Sequence, residues 1–167
     1  VLIEELINRV PELRPFVRVL HGDGRVGADL VASHPDLIFL TGSTGTGLKI
    51  AQEAAKTLTP FLYELGGKDP MLVMKDADIA AAAKWGTWGA FYNTGQTCMG
   101  IERVYVEEAV YEPFVRACIA EAKMLKQGYS VNFDNKFNIG PLTFERQLAI
   151  VQAHLDDALA KGARIIL

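Results

Sequence analysis

Short, mostly apolar runs alternate with helical patterns along the first part of the chain. The predicted strands are 16–20, 37–40 and 61–63, and the predicted helices are 2–9, 27–33 and 46–58. Apolar runs separated by helical patterns are typical of βαβ units, in which a helix connects two parallel strands. We therefore predict one βαβ array that runs from Phe16 to Glu64.

The same alternation restarts after Gly67. The predicted strands are 71–74, 103–106 and 165–167, and the predicted helices are 78–92, 108–126 and 142–161. Residues 128–141 form a polar and aromatic connector without periodicity. Together the two arrays predict an α/β fold with mostly parallel sheets. The Gly66-Gly67 pair is the predicted boundary between two halves, residues 1–65 and 66–167.

Composition limits the function classes. The 167 residues are 50% hydrophobic and carry a formal net charge of −3, which argues against a nucleic-acid partner. No apolar run approaches the roughly 18–20 residues of a membrane span, so we expect no membrane association. Two cysteines do not make a disulfide scaffold, so we expect a reducing, cytoplasmic compartment. The three histidines lack the spacing of metal ligands, and no metal is expected.

The ends of the sequence carry a further expectation. The chain starts with Val1 rather than Met, directly before the predicted helix 2–9, and it ends at Leu167 inside a predicted strand. We therefore expect an internal piece of a longer chain.

A glycine-rich stretch at 41–47 joins a predicted strand to a predicted helix. Glycines let a ligand approach the backbone closely, and the free N–H groups at a helix start favour an anion. The hydroxyls of Ser43 and Thr44 could donate to a phosphate. The plainer interpretation is a tight turn in which one of these side chains caps the helix.

A second glycine set at 22–27 has the spacing G-x-G-x-x-G. A standard dinucleotide fingerprint also has an acidic residue about twenty positions further on, and none stands there. This stretch alone therefore does not predict a Rossmann site.

Two short motifs carry the candidate chemistry. Glu64 ends an apolar run and precedes Gly66 and Gly67, and Cys98 ends the polar turn Gly-Gln-Thr-Cys. Backbone N–H groups in such a turn stabilise an anion, which suits a cysteine nucleophile, and a carboxylate beside glycines can act as base toward water. For Glu64 the plainer alternative is a solvated or ion-paired side chain. Cys118 lies among apolar positions of a helix and is predicted to be buried.

The motifs, in this order, resemble the NAD(P)-dependent aldehyde dehydrogenase superfamily, whose signatures read ELGGK and GQxC. The resemblance runs from Val17 to Leu167 and includes GGKDP at 66–70, ERVYV at 102–106 and IGPL at 139–142. It implies a three-layer α/β fold with helices on both faces of mostly parallel sheets, here incomplete. It also implies that 1–65 is the C-terminal part of the NAD(P)-binding domain and 66–167 the N-terminal part of the catalytic domain.

The resemblance assigns roles to individual residues. It implies that Cys98 attacks an aldehyde and carries a thioester, and that Glu64 activates the water that releases a carboxylic acid. It further implies an NAD or NADP site: Gly42, Ser43, Thr44 and Gly47 at the pyrophosphate, Leu65 beside the nicotinamide, and Gly24 and Gly27 on the adenine side. Gly45 departs from the pattern, since an acidic residue is common there in the family.

The resemblance also sets the expected partners and the rivals. We expect a small-molecule aldehyde as substrate, a homodimer or homotetramer in the intact enzyme, and no turnover by the 167 residues alone. One rival is a CoA-acylating aldehyde dehydrogenase, although such enzymes generally lack the glutamate found at Glu64. The other is an inactive fragment, or a non-catalytic chain that only binds nucleotide. The sequence selects neither the aldehyde nor NAD over NADP.

Overall fold

The computed structural model describes residues 2–131 and 136–167. The chain divides into two compact units, residues 1–65 and 66–167. The roles that the sequence assigns to the two halves stay predictions.

The first unit contains one βαβ motif. Its elements are α1 (Leu2–Asn8), a 3₁₀ turn (Pro11–Leu13), α2 (Gly24–Ala32), β1 (Ile38–Thr41), α3 (Thr44–Ala55) and β2 (Phe61–Glu64). Strands β1 and β2 are parallel, with Ile38 opposite Phe61 and Thr41 opposite Glu64. Helix α3 makes the connection between them, as parallel strands require.

Helix α2 begins where a capping side chain is available. The Asp23 carboxylate accepts the Arg25 N–H at 2.9 Å and so takes one of the unpaired donors of the first turn. The side chain and the backbone of Arg25 hold the pKa of the Asp23 carboxyl below its ordinary value.

The strand predicted at 16–20 is wrong. The N–H groups of Phe16 and Val17 instead donate to the Leu13 carbonyl, each at 2.9 Å, and the chain then continues without regular structure. A strand requires a neighbour, and in the described part of this unit β1 and β2 pair only with each other. The predicted array therefore reduces to β1–α3–β2.

The second unit places two helices against a parallel strand pair. Its elements are β3 (Asp69–Val73), α4 (Ile79–Phe91), a 3₁₀ turn (Tyr92–Gly95), β4 (Ile101–Val106), α5 (Glu108–Lys123) and α6 (Arg146–Ala160). Strands β3 and β4 are parallel, with Met71 opposite Val104 and Val73 opposite Val106. An irregularity between Asp69 and Pro70 interrupts the register at the start of β3.

The core of this unit lies on one face of the strand pair. Val73, Ala83 and Phe114 are buried together, so β3, α4 and α5 share one apolar cluster. Cys118 packs against this cluster as predicted, although it is half-buried rather than fully buried. Burial raises the pKa of the Cys118 thiol, while a hydrogen bond with Thr87 acts in the opposite direction.

The opposite face of β3 and β4 is uncovered. Leu72 and Tyr105 lie side by side there, and 68% and 53% of their surfaces are exposed. The α/β class with parallel sheets is confirmed. The layer that would complete a three-layer arrangement over this face is not among the described residues.

Two further element predictions are wrong in this unit. Residues 165–167 form no strand, and Ile166 and Leu167 instead line an apolar pocket beside α4 and α5. The helix predicted from 142 begins only at Arg146, and in the segment before it the Thr143 N–H donates to the Gln96 side chain at 2.8 Å. Residues 132–135 of the predicted connector lie outside the described residues.

Candidate functional site

The glycine turn predicted to bind phosphate lies between β1 and α3. Ser43 is the N-cap of α3, and its Oγ accepts the Thr46 N–H at 3.2 Å. The Gly47 N–H donates to the Ser43 carbonyl at 2.9 Å, so the N–H groups of Thr44 and Gly45 precede the helical hydrogen-bond ladder. The Ser43 hydroxyl therefore caps the helix, and these two N–H groups point out of the helix start, where an anion binds best.

Three predicted cofactor residues meet in this unit. Thr44, Gly47 and Leu65 line one mainly apolar depression of about 180 Å³. Gly47 is buried, and a Cβ on it would come within 3.0 Å of Leu65 Cδ2. A glycine at this position thus lets α3 pack closely on Leu65. An apolar hollow beside the N-terminus of a helix fits a ligand that combines a ring with a phosphate, as a dinucleotide does.

Glu64 lies directly beside this turn. It ends β2 opposite Thr41, and its carbonyl accepts the Gly42 N–H at 3.0 Å. Its carboxylate is exposed. The backbone of Glu64 is therefore fixed at the turn, while its side chain remains accessible.

The two peripheral candidates lie on α2. Gly24 is the first residue of this helix and Gly27 lies one turn later, and α2 packs beside α3. A Cβ on either glycine would meet no atom within 4 Å. Packing among the described residues therefore does not require glycine here, and a contact with the adenine side of a cofactor stays a prediction.

Cys98 lies in the loop between α4 and β4. The 3₁₀ turn Tyr92–Gly95 precedes it, and the Gly100 N–H donates to the Thr97 carbonyl at 3.1 Å just after it. The thiol is free and exposed. The nucleophile candidate is thus accessible, in contrast to Cys118.

Gly67 of the glutamate motif lies against the backbone of Cys98. A Cβ on Gly67 would overlap the Cys98 carbonyl oxygen and come within 2.8 Å of Asp69 Oδ1. Gly67 and Cys98, thirty-one positions apart in the sequence, therefore touch within the second unit. A side chain at Gly67 would push the cysteine loop away.

Lys68, which follows Gly67, makes two contacts with the beginning of β4. Its Nζ pairs with the Glu102 carboxylate, and its carbonyl accepts Arg103 Nη2–H at 2.7 Å. Lys68 is mostly exposed, so the ion pair contributes little to stability. These contacts tie the start of β3 to the start of β4, directly after Cys98.

We expect Gly67→Ala to destabilise the protein by about 1–3 kcal/mol, because the added methyl overlaps a backbone oxygen that cannot rotate away. Thermal unfolding measures this loss. Gly66→Ala is the matched control, since a Cβ on Gly66 would meet nothing within 4 Å, and we expect its stability within about 0.5 kcal/mol of the parent. Equal stability of the two variants would contradict this packing.

The structural roles of Gln96 and Thr94 were not predicted from the sequence. Both side chains bond to residues 140–143, more than forty positions further along the chain. The one sequence feature in that segment is the family motif at 139–142. The resemblance assigns no role to this motif.

Within residues 2–131 and 136–167, no group of three or more His, Cys, Asp and Glu side chains could hold a metal ion. None of the helices in the same ranges combines the length and apolar character needed to cross a bilayer.

Comparison with known proteins gives consistent matches. The sequence pattern of the aldehyde dehydrogenase family matches residues 5–167. The chain is 43% identical over 149 residues to 4,4'-diapolycopene aldehyde oxidase of Methylomonas sp, covering 89% of this chain and 27% of that protein.

Solved structures agree with the sequence match. An NADP dependent enzyme of Escherichia coli superposes with a TM-score of 0.84 at 35% identity, over 89% of this chain and 31% of that one. Betaine aldehyde dehydrogenase of Staphylococcus aureus, solved with NAD+, gives a TM-score of 0.83 at 31% identity, over 89% and 29%. The chain thus spans about a third or less of the length of these proteins.

Proposed function

The chain belongs to the aldehyde dehydrogenase family, and we propose that the whole protein oxidises an aldehyde to a carboxylic acid with NAD+ or NADP+ through a thioester on Cys98. The observation that carries this proposal is the packing of Gly67, which belongs to the glutamate motif, against the Cys98 backbone within the second unit. Access to the Cys98 thiol supports it further.

Cys98 is the nucleophile in this proposal. Its thiolate attacks the aldehyde carbon, a C–S bond forms, and the carbonyl electron pair moves to oxygen to give a thiohemiacetal oxyanion. Backbone N–H groups of the loop stabilise this charge. When the oxyanion re-forms the carbonyl, the carbon releases a hydride and becomes a thioester on Cys98.

The nicotinamide cofactor supplies the acceptor for that hydride. The described residues fit such a group at two places. The N–H groups of Thr44 and Gly45 would bind its phosphates, and the hollow lined by Thr44, Gly47 and Leu65 would hold an apolar ring. Gly42 and Ser43 frame this turn, and we propose contacts of Gly24 and Gly27 on the adenine side.

Glu64 is the proposed base for the second half of the reaction. Its carboxylate takes a proton from water, the water oxygen attacks the thioester carbon, and the C–S bond breaks to return the Cys98 thiolate. Gly66 and Gly67 follow it, and glycines permit the backbone changes by which the carboxylate can move. The exposed position of the carboxylate leaves it able to do so.

The working form of the protein is a further part of the proposal. By family resemblance we propose a small-molecule aldehyde as substrate and a homodimer or homotetramer in the cytoplasm. Oligomer formation would cover apolar surface, and exposed apolar side chains such as Leu72 and Trp85 give the chain surface to cover.

The whole protein incubated with a panel of aldehydes tests the proposal. We expect reduced nicotinamide from NAD+ or NADP+ and the matching carboxylic acid by chromatography. The same reactions with added CoA distinguish hydrolysis from the CoA-acylating alternative. An acyl-CoA product in place of the acid would show transfer of the acyl group to a thiol. Absence of reduced cofactor with every aldehyde would contradict the proposal.

A further inference from the structure

The loop that carries Cys98 contains an unfavourable backbone segment. Asn93, Thr94 and Gly95 are consecutive and have φ values of 51°, 62° and 70°. Glycine adopts this left-handed region freely and asparagine tolerates it, but a β-branched threonine is a clear outlier there. Such a conformation persists only where surrounding contacts impose it.

The side chain of Gln96 connects this segment to a distant part of the chain. Its Nε2–H groups donate to the Asn93 carbonyl at 3.1 Å and to the Pro141 carbonyl at 3.3 Å. Its Oε1 accepts the Thr143 N–H at 2.8 Å. The carboxamide thus uses both its nitrogen and its oxygen in hydrogen bonds. These bonds join the turn to a segment more than forty residues further along the chain.

Thr94 adds a parallel contact. Its Oγ1–H donates to the Gly140 carbonyl at 3.1 Å. Thr94 and Gln96 are both half-buried, so these bonds are partly shielded from water. Gln96 and Thr94 together form a clamp between the cysteine loop and residues 140–143.

The far side of the clamp is itself anchored. The Gly128 N–H donates to the Ile139 carbonyl at 2.9 Å, and the Asn138 side chain accepts the Lys126 N–H at 2.9 Å. Lys126 and Gly128 directly follow helix α5, which packs in the core of the second unit. These hydrogen bonds hold the segment that leads into residues 140–143 against the end of α5.

Cys98 lies two residues after Gln96, with Gly67 against its carbonyl on the other side. We propose that Gln96 is a positioning residue. Its carboxamide holds the left-handed turn against residues 140–143 and so fixes the position of the Cys98 thiol. This inference rests on the proposed function for the role of Cys98. Only an amide of this length offers both the donors and the acceptor that the clamp uses, because a glutamate side chain is acceptor-only when ionised.

Gln96→Glu in the whole protein tests the inference. The variant keeps the shape but places a carboxylate oxygen against the carbonyls of Asn93 and Pro141. We expect kcat to fall about 10- to 100-fold with KM for the nicotinamide cofactor unchanged. We also expect an altered pH profile for alkylation of Cys98 by iodoacetamide, followed by peptide mass spectrometry. The matched control is Gln152→Glu on the exposed face of α6, where both readouts should stay at the parent values.

A second pair of variants covers the case in which Gln96→Glu does not fold. Thr94→Val removes the hydroxyl but keeps the branched shape, and Thr94→Ser keeps the hydroxyl. We expect Thr94→Val to shift the Cys98 alkylation profile and Thr94→Ser to restore it. Parent-like profiles in Gln96→Glu, or in Thr94→Val where the first variant is unfolded, would overturn the inference.

Cys98→Ala separates failure of the inference from failure of the proposed function. If Cys98→Ala is inactive while a folded Gln96→Glu has parent kcat and alkylation behaviour, only the positioning role is wrong. If Cys98→Ala keeps full activity, the proposed function is wrong and the positioning role is overturned with it.

Discussion

Replacing Cys98 with alanine is expected to lower kcat/KM for aldehyde oxidation by the whole protein at least about 10³-fold. The alanine variant has no atom that can bond to the aldehyde carbon, so neither the thiohemiacetal nor the thioester forms. The side chain is exposed on a loop, and its loss opens no cavity in the core. We therefore expect the variant to keep the parent thermal stability, measured beside its steady-state rate.

Cys118→Ala is the matched control for this prediction. Cys118 is half-buried against the core of the second unit, and burial raises the pKa of its thiol. Its thiol therefore stays protonated at neutral pH and is a poor nucleophile. We expect activity near that of the parent. Aldehyde oxidation by Cys98→Ala at the parent rate would contradict the role of this cysteine.

Replacing Glu64 with glutamine is expected to lower steady-state turnover about 10²- to 10⁴-fold while leaving an initial burst of reduced cofactor. Glutamine cannot take a proton from water, so the thioester forms once and is then released slowly. Stopped-flow absorbance measures the burst, whose amplitude should approach one reduced cofactor per active site.

Glu53→Gln controls for the loss of a surface charge. Glu53 lies on the exposed face of α3 and pairs with Lys56 at 2.7 Å, and we expect its removal to leave both the burst and the steady-state rate unchanged. A Glu64→Gln variant that turns over at the parent rate would exclude this residue as the base.

Elements with a strong local signal could be predicted from the sequence. Helix α5 is amphipathic over many residues, and helix α4 begins at the Asp78 cap, whose carboxylate accepts the Ala81 N–H at 3.1 Å. Both follow from periodicity and capping within a few residues. The strands predicted at 16–20 and 165–167 failed because a strand depends on a partner elsewhere.

The same distinction applies to the site. The turn at 42–47 and the motifs at Glu64 and Cys98 are local patterns, and the sequence placed each of them at the end of a strand or in a loop. The contact of Gly67 with the Cys98 backbone and the clamp from Gln96 to Pro141 are long-range. Neither hydrophobic periodicity nor turn chemistry carries information on such pairs, so the structure was required to find them.

The proposed reaction depends most on a thioester at Cys98 that persists until Glu64 activates water. Peptide mass spectrometry of the Glu64→Gln variant, quenched in acid after reaction with an aldehyde and oxidised cofactor, tests this directly. We predict that the peptide containing Cys98 gains the mass of the acyl group and that the peptide containing Cys118 does not. An unmodified Cys98 peptide after a full burst of reduced cofactor would contradict the account.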